Sequence, residues 1–435
     1  MIDLDDLRKR PEAYQAAAKN KNIAIDVAAF LKLDEKRRGL QKELDEKRST
    51  QNAANKKMPT LKGEEKAAAL SEMKALSATV KGGEEQLSVL ESEWKAMQYM
   101  LPSIPLDTAP VGKSDKDNVE SKRVGKDPST TLRVTSPKDH VTLGEALNII
   151  DIPRGAKVSG ARSYFLKGDG ARLHQAVLRF TIDALVAKGW TLFAPPLLAN
   201  EACFVGTGFF PGADQANIYA VGGQEQSGGA IEPDGLHLIG TSEVTVCSFH
   251  KDEVLTKADL PKRYAGYSTC FRREAGTYGK DTKGLYRVHQ FEKVEQVVLC
   301  EANINTALEL FEEIRKNAED ILAALELPYR VMDVCTGDMG KGKVFMQDIE
   351  TWMPSREAYG ETHSCSYLGD FQARRLNIKY VTPSGEKKFV HTLNNTCIAS
   401  PRILIPILEI YQNKDGSVTV PEVLRPYMGG QKSIG

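Results

Sequence analysis

The chain has 435 residues, enough for two or three domains, and its 41% hydrophobic and 27% charged content is ordinary for a folded protein. Its 58 Lys and Arg balance 58 Asp and Glu, so local basic patches, and not a global field, would have to meet a polyanionic partner. No apolar run reaches the ~18 residues needed to span a bilayer, and the N-terminal MIDLDDLRKR lacks the apolar core of a signal peptide.

The cysteines indicate the compartment. There are seven, an odd number, and they are scattered along the chain without a CxxC pair. This distribution argues against a disulfide framework and against a cysteine zinc site, and the seven histidines form no HxxxH set. We therefore predict a cytoplasmic protein with no zinc and no membrane partner.

A short segment at the N-terminus contains Pro11, which marks a helix start. The two long stretches that follow carry mostly apolar residues at alternating spacings of three and four positions. Pro59 and Gly63 separate the stretches. The pattern predicts an antiparallel coiled-coil hairpin with arms of about 30 residues, each ~45 Å long. Its positions are Phe30, Leu33, Arg37, Leu40, Leu44, Lys47, Gln51 and Ala54, then Ala69, Met73, Leu76, Val80, Gly83, Leu87, Leu90, Trp94, Met97 and Leu101.

The charge of the hairpin leaves its partner open. Between Ala29 and Lys57 there are nine Lys and Arg against five Asp and Glu, whereas Lys62 to Met100 has five Lys against seven Glu. Basic residues on a rod could follow a phosphate backbone. The same charges also suit the solvated surface of a coiled coil, or a rod that binds a second protein helix.

The composition predicts three segments. Prolines and the polar run GKSDKDN predict a linker over residues 105–136, between a helical domain at 1–104 and a domain at 137–435 that mixes helices and strands. A glycine-rich polar stretch at 222–235 predicts a surface loop. The larger domain is predicted to contain a helix at 170–187, strands at 190–194 and 236–239, a helix at 303–325, and strands at 329–334 and 344–352.

A hairpin is predicted from Tyr267 to Cys300, where two strand-like runs flank a loop that holds Gly276, Gly279 and Gly284. In its second run Arg287, Phe291 and Glu295 share one parity, which predicts a cation, an aromatic ring and a carboxylate on one face. Phe291 and Glu295 would lie roughly 13 Å apart. This row suits a phosphate, a base and an ammonium, as in an aminoacyl-adenylate. A solvated sheet face with ordinary ion pairs is the alternative.

Three shorter motifs are also polar. After the strand KFVHTL, Ser400 and Pro401 predict a helix start, and Arg402 in its first turn suits an anion bound there, or an exposed arginine with a distant carboxylate. Glu361 and Ser364 could share a magnesium ion with phosphate oxygens, or be solvated loop residues. Residues 241–243 could cap a helix. No GxxxxGK[ST] and no GxSxG motif is present, so any nucleotide would be held by arginines and not by a P-loop.

The motifs together resemble those of the seryl-tRNA synthetases, which are class II aminoacyl-tRNA synthetases. Residues 170–196 resemble the dimer-forming first class motif, FRREAG with RVHQFEKVE the second, and TLNNTCIASPRIL the third. The stretches TGFFPG, GTSEV, TGDMG and ETHSCS are similar to those of seryl enzymes, as is the N-terminal hairpin. The third motif departs from many class II enzymes because Thr396, Ala399 and Ser400 stand where glycines are common.

The resemblance implies an α+β fold: an antiparallel coiled-coil hairpin, plus a catalytic domain on a mostly antiparallel sheet flanked by helices. It implies ATP, Mg²⁺, L-serine and tRNA(Ser), whose long variable arm the hairpin would grip, with tRNA(Sec) as a further substrate in some members, and a homodimer. Arg272, Arg402 and Glu361 would be catalytic. ATP would contact Arg272, Arg273, Glu274, Arg287, Val288, Phe291, Glu361, Thr362, His363, Ser364 and Arg402; serine would contact Thr241, Ser242, Glu243, Arg272, Glu295, Asn394 and Thr396; magnesium would contact Glu361 and Ser364.

Two other functions fit the same fold. An amino acid ligase that loads a carrier protein would not need the long hairpin, so the heptad pattern counts against it. A non-catalytic, synthetase-like RNA-binding protein would be expected to have lost some of the central site residues, and all of these are present: Arg272, Phe291, Glu295, Glu361 and Arg402.

Overall fold

The structure, a computed structural model, describes residues 1–125, 134, 136–225, 231–275 and 284–435. The chain divides into two compact units, Met1–Pro102 and Ser103–Gly435. Within the described ranges, none of the helices combines the length and the apolar character that a membrane span requires.

The first unit is entirely helical, and its predicted hairpin is confirmed. Proline occupies the first turn of the second helix, as the sequence predicts. The two long helices contain 31 and 38 residues, which correspond to ~47 Å and ~57 Å at the usual rise per residue. The helices are α1 (Leu4–Lys9), α2 (Pro11–Asn20), α3 (Val27–Lys57) and α4 (Gly63–Met100).

A buried carboxylate joins the helices at the base of this hairpin. Asp34 is 1% exposed and accepts hydrogen bonds from Arg8 (2.8 Å), Arg38 (3.0 Å) and Trp94 Nε1 (3.0 Å). Burial by itself would raise the pKa of Asp34, but the hydrogen bonds from Arg8 hold that pKa below its ordinary value. The ring of Trp94 also stacks on Phe30 at 6.1 Å between centroids, so one polar and one aromatic contact hold the base together.

The second unit is built on an eight-stranded sheet in the order β1-β11-β12-β13-β16-β10-β9-β4. All neighbouring pairs are antiparallel except β4 and β9, which are parallel, so the mostly antiparallel sheet is as predicted. The strands of this sheet are β1 (Val119–Val124), β4 (Thr191–Phe193), β9 (Lys262–Phe271), β10 (Gln290–Cys300), β11 (Tyr329–Asp333), β12 (Phe345–Met353), β13 (Ala358–Tyr367) and β16 (His391–Ser400).

Short strands form smaller sheets, and helices cover the main sheet. The short strands are β2 (Ile150–Asp151), β3 (Phe165–Leu166), β5 (Leu198–Asn200), β6 (Tyr219–Glu225), β7 (Ile231–Leu238), β8 (Val254–Thr256), β14 (Lys379–Val381), β15 (Lys387–Phe389), β17 (Val418–Thr419) and β18 (Ser433–Ile434). The helices are α5 (His140–Ala146), α6 (Ile152–Ser159), α7 (Asp169–Ala187), α8 (Glu201–Thr207), α9 (Glu243–Ser248), α10 (Ile304–Ala324), α11 (Phe371–Leu376) and α12 (Leu404–Ile410).

The apolar faces of two helices form the main core. Leu173, Leu178 and Leu185 of α7 pack with Phe311 and Ile314 of α10 and with inward residues of the sheet. Both helices were predicted from their apolar spacing, and both fall within one or two residues of the predicted bounds. The opposite face of the central strands is left to the polar residues of the site described below.

Three local predictions differ from the structure. The stretch at 222–235 is not a surface loop where it is described, because β6 and β7 pair across it, while residues 226–230 lie outside the described residues. Within the segment predicted as a linker, residues 119–124 form β1 on β11, while 126–133 and 135 lie outside the described residues. Ser400 does not cap a helix, because β16 continues through it and α12 begins only at Leu404.

Replacing Asp34 by Asn should destabilise the first unit by about 3 kcal/mol, since it removes the charge from a buried carboxylate that arginines contact. Asp45→Asn is the matched control on the same helix, because Asp45 is 60% exposed and lies 3.8 Å from Arg48. Hydrogen exchange of peptides from α3 and α4 in the full chain measures both effects. Equal exchange in the two variants would contradict the role given to Asp34.

Candidate active site

Strand β10 forms the floor of the site. It lies between β9 and β16, with Phe291 opposite Cys270, and Glu295 opposite both Gly266 and Thr396. Because side chains alternate along a strand, Phe291 and Glu295 lie on the same face, as predicted. Arg287 does not share this strand face, since β10 begins at Gln290, where the pairing with β9 starts.

Arg272 and Phe291 lie side by side at one end of the floor. The Arg272 guanidinium carbon lies 5.2 Å from the centroid of the Phe291 ring, and its Nε donates to the Gly240 carbonyl at 3.2 Å. This contact fixes the cation beside the aromatic ring. Beyond it, Arg273 is exposed, and Glu274 forms an ion pair with Arg287 at 3.4 Å. These residues therefore gather at one end of β9 and β10.

Arg402 contacts Tyr286 and Glu361. Its Nε donates to the Tyr286 carbonyl at 3.1 Å, its guanidinium carbon lies 4.5 Å from the Tyr286 ring centroid, and its Nη1 donates to the Glu361 carbonyl at 2.9 Å. Arg402 precedes α12, which has seven residues, so the predicted position in the first turn of a helix is wrong. Backbone carbonyls of the second-motif loop and β13 hold the guanidinium instead.

The predicted cluster at residues 361–364 lies inside β13 and not after a strand, and the pairing of β13 with β12 skips Thr362. Glu361 is exposed and Ser364 is half-buried, whereas Thr362 and His363 are buried. Thr362 Oγ1 lies 2.7 Å from Thr351 Oγ1, and His363 Nδ1 lies 2.8 Å from Thr362 Oγ1. Burial lowers the pKa of His363 to about 3, so the ring is neutral and packed in the core.

A second carboxylate, that of Asp348, lies beside Glu361 and Ser364. Asp348 is opposite Ser364 in the pairing of β12 with β13, and Ser364 donates a hydrogen bond to it. Burial, and then the charge of Glu361, raise the pKa of Asp348 well above its ordinary value. Its Oδ1 is buried without a hydrogen-bond partner. This all-oxygen set, with an unsatisfied oxygen, is chemically suited to a hard divalent cation.

A lysine joins the residues predicted to bind serine. Lys293 lies between Phe291 and Glu295 on the same face of β10 and is 5% exposed. Its Nζ donates to Thr241 Oγ1 at 2.8 Å and to Thr396 Oγ1 at 3.4 Å, and it forms an ion pair with Glu295. The structure therefore brings Thr241, Glu295 and Thr396 together around one ammonium group.

Glu243 lies on the edge of the same cluster. Its Oε1 accepts a hydrogen bond from Gln372 Nε2 at 2.7 Å, and its backbone N–H donates to Thr241 Oγ1 at 3.2 Å. Burial, followed by the charge of Glu295, raises the pKa of Glu243 from 4.5 to about 7. The cluster thus contains two carboxyl groups, and the charge of one of them contributes to the raised pKa of the other.

Three predicted residues have other surroundings. Ser242 is fully buried, and its Oγ donates to the Gly266 carbonyl at 3.1 Å. A Cβ at Gly266 would lie 2.6 Å from the Ser242 Oγ, so a glycine is needed at that position. Val288 is 5% exposed and lies just before β10. Asn394 is 7% exposed and shares the strand parity of Thr396. The structure brings neither Ser242 nor Val288 into polar contact with the cluster.

Four residues of the site were missed in the sequence analysis. The parity of Phe291 and Glu295 could have indicated Lys293, which lies between them. Asp348, Tyr286 and Gln372 carry no comparable local signal, because each joins the site through a strand pairing or a contact distant in sequence.

The comparisons with known proteins agree along the whole chain. The family model for the seryl-tRNA synthetase N-terminal domain matches residues 1–105, and that for the class II core domain of tRNA synthetases (G, H, P, S and T) matches residues 230–411. The serine–tRNA ligase of Deinococcus radiodurans is 45% identical over 435 residues, covering 100% of this chain and 99% of that protein. The chain belongs to the seryl-tRNA synthetase family.

Other members of the family are also similar over their full length. The serine–tRNA ligase of Dictyoglomus thermophilum is 41% identical, with 99% and 98% of the two chains covered. The crystal structure of seryl-tRNA synthetase from Pyrococcus horikoshii complexed with ATP superposes with a TM-score of 0.88 at 36% identity, covering 100% and 99%. The predicted fold and the predicted activity, an ATP-dependent serine–tRNA ligase, are confirmed, and the two alternative functions are not supported.

Replacing Glu243 by Gln should make the stability of this family member less dependent on pH. Between its ordinary pKa of 4.5 and about 7, Glu243 binds a proton in the folded chain that it loses on unfolding, so its contribution to stability falls as pH rises through that window. The unfolding temperature of Glu243→Gln relative to wild type should therefore increase from pH 5 to pH 8. Glu386→Gln, at a side chain 62% exposed, is the control. A difference that does not change with pH would contradict the burial of Glu243.

Proposed function

We propose that the site performs both steps of serylation on the face of β10. The observation that supports this most is the row formed by Phe291, Lys293 and Glu295, with Arg272 at the ring and Thr241 and Thr396 at the carboxylate. An adenine beside the ring, phosphates beside the arginine and an ammonium beside Glu295 would follow the same order as the parts of seryl-adenylate.

In the first step the serine carboxylate attacks the α-phosphate of ATP in line, and pyrophosphate leaves. The nucleophile is already an anion, so the step needs positioning and charge neutralisation more than a general base. Arg272 would bind the α-phosphate, and Arg402, held by the carbonyls of Tyr286 and Glu361, would bind the γ-phosphate. In the second step the terminal ribose hydroxyl of tRNA attacks the adenylate carbonyl and AMP leaves.

Magnesium is part of the proposal. Glu361 and Ser364 would hold the ion together with phosphate oxygens, since hard cations prefer oxygen ligands. When bound, the ion would neutralise phosphate charge. The described residues contain no group of three or more His, Cys, Asp or Glu that could hold a metal ion, so phosphate oxygens would have to complete the coordination. The unsatisfied Asp348 Oδ1 supports this location.

Serine selection would come from hydrogen bonding. A pocket that presents Glu243, Thr241 and Thr396 to a hydroxyl disfavours alanine, because alanine leaves buried polar groups unpaired. Threonine would have to be excluded by size. The contact from Gln372 fixes Glu243 in this pocket.

The hairpin of α3 and α4 is proposed to bind the long variable arm of tRNA(Ser), and the same contact would serve tRNA(Sec). It is long and thin, and its first helix carries the excess of basic residues. Phosphate contacts by Lys and Arg would supply affinity without requiring a pocket.

A homodimer formed around the first class motif is also proposed. Exposed apolar side chains lie along α7, β4 and the segments next to them, and a solvent-exposed apolar surface of this kind suits a partner subunit. Leu192 is 43% exposed and Phe249 is 59% exposed, and the ring of Phe249 packs on Phe193 of β4.

The seven free cysteines suit the reducing cytoplasm that we propose as the compartment.

Amino-acid-dependent ATP–pyrophosphate exchange, assayed with each of the twenty amino acids and without tRNA, tests the proposed pocket. Exchange should occur with serine alone. Arg272→Ala should lower it on the order of 10²-fold or more, because a donor to the developing phosphate charge is lost.

The matched control for this assay is Arg263→Ala on the same strand, where Arg263 pairs with Glu313 at 2.8 Å on α10. Its exchange should stay near wild type. Exchange with a different amino acid would refute the serine assignments, and normal exchange in Arg272→Ala would refute its role at the α-phosphate.

Removing residues 49–79 and joining the helices by a short glycine linker tests the hairpin. The base remains, because Asp34, Trp94, Leu44 and Val80 are all retained. Serine-dependent exchange should be unchanged, while charging of tRNA(Ser) should fall on the order of 10²-fold as phosphate contacts are lost. Unchanged charging of tRNA(Ser) by the shortened chain would show that the hairpin does not bind the tRNA.

A further inference from the structure

The ammonium group of Lys293 makes three contacts, and each goes to a residue from a different part of the chain. Thr241 precedes α9, Glu295 is on β10, and Thr396 is on β16. An ammonium has three N–H donors, so these three acceptors use all of them. Lys293 therefore ties together the three segments that carry the proposed serine contacts.

Charge gives Lys293 a second part in the pocket. Glu243 and Glu295 are the acidic residues of the cluster, and the charge of Glu295 contributes to the raised pKa of Glu243. The Lys293 ammonium forms an ion pair with Glu295 and so offsets part of the negative charge that the two carboxyl groups bring to the pocket.

The contacts on Glu295 are uneven. Lys293 and Thr396 both contact Oε2, and no hydrogen bond from the described residues reaches Oε1. A carboxylate can accept about four hydrogen bonds, so Oε1 still has its acceptor capacity. The lysine thus fixes one oxygen of the carboxylate and leaves the other for the substrate.

We propose that Lys293 is a positioning residue for serine: it orients Glu295 so that Oε1 accepts from the substrate ammonium, and it holds Thr241 and Thr396 in place at the same time. The inference rests on the proposed function, in which Glu295 binds that ammonium. A lysine with a purely structural role would affect all ligands of the site alike, whereas this role concerns the ammonium in particular.

The test uses two stable analogues of seryl-adenylate and isothermal titration calorimetry on the full chain. One is seryl-sulfamoyl adenosine, and the other is the same molecule with hydrogen in place of the amino group. Wild type should bind the amino compound more tightly. In Lys293→Met, its dissociation constant should rise at least about tenfold more than that of the deamino compound, because a charge-assisted contact is impaired.

Lys122→Met is the matched control. Lys122 also pairs with a buried glutamate, Glu319, at 3.0 Å, but on the edge strand β1. Its affinities for both analogues should equal those of wild type. Lys293→Gln is the second variant, because it keeps a polar side chain of similar length without the charge, and it should show the same selective loss.

The outcomes separate the two proposals. Equal losses for both analogues in the Lys293 variants, no loss, or failure of both variants to fold would assign Lys293 a structural role and overturn this inference. If wild type does not prefer the amino compound, the assignment of Glu295 fails, and the proposed pocket fails with it.

Discussion

The site depends on one constraint, which is that β10 carries polar side chains on both faces although both are covered. On one face Phe291, Lys293 and Glu295 form the floor of the site. On the other, Glu292 contacts His174 and Tyr267, and Gln296 donates to the Ile314 carbonyl. A buried polar group without a partner is costly, so each of these side chains requires a specific neighbour. The positions of those neighbours determine how helices and strands assemble around β10.

The face opposite the site links all three class motifs. His174 of α7 contacts Ser400 Oγ at 2.8 Å and Glu292 at 3.5 Å, and the Tyr267 hydroxyl donates to the same carboxylate. The hydrogen bond from His174 lowers the pKa of Glu292, which keeps this acceptor ionised. Ser400 lies two residues before Arg402. The three motifs are therefore joined through one hydrogen-bonded network.

Patterns that depend on neighbours along the chain were predictable, and contacts between distant segments were not. The two-residue period of β10 correctly placed Phe291 and Glu295 together, and the heptads correctly gave the hairpin. Arg287 was misplaced because strand length is decided by pairing, and β9 ends at Phe271, opposite Gln290. The glycine-rich composition at 222–235 suggested a loop, but pairing between β6 and β7 overrides local composition there. The role of Lys293 follows from its contacts with Thr241 and Thr396, which are distant from it in sequence.

The hairpin behaves mechanically as a cantilever clamped at one end. Asp34 and Phe30 at its base belong to a set of buried residues that ends at Leu44 on α3 and resumes at Val80 on α4. Residues 45–79, all of which the structure describes, contain no buried residue. Side-chain packing thus stiffens the root, and the outer part resists bending mainly through its backbone hydrogen bonds. Elastic deflection will concentrate toward the free end, which can follow a curved ligand at low energetic cost while the root keeps its shape.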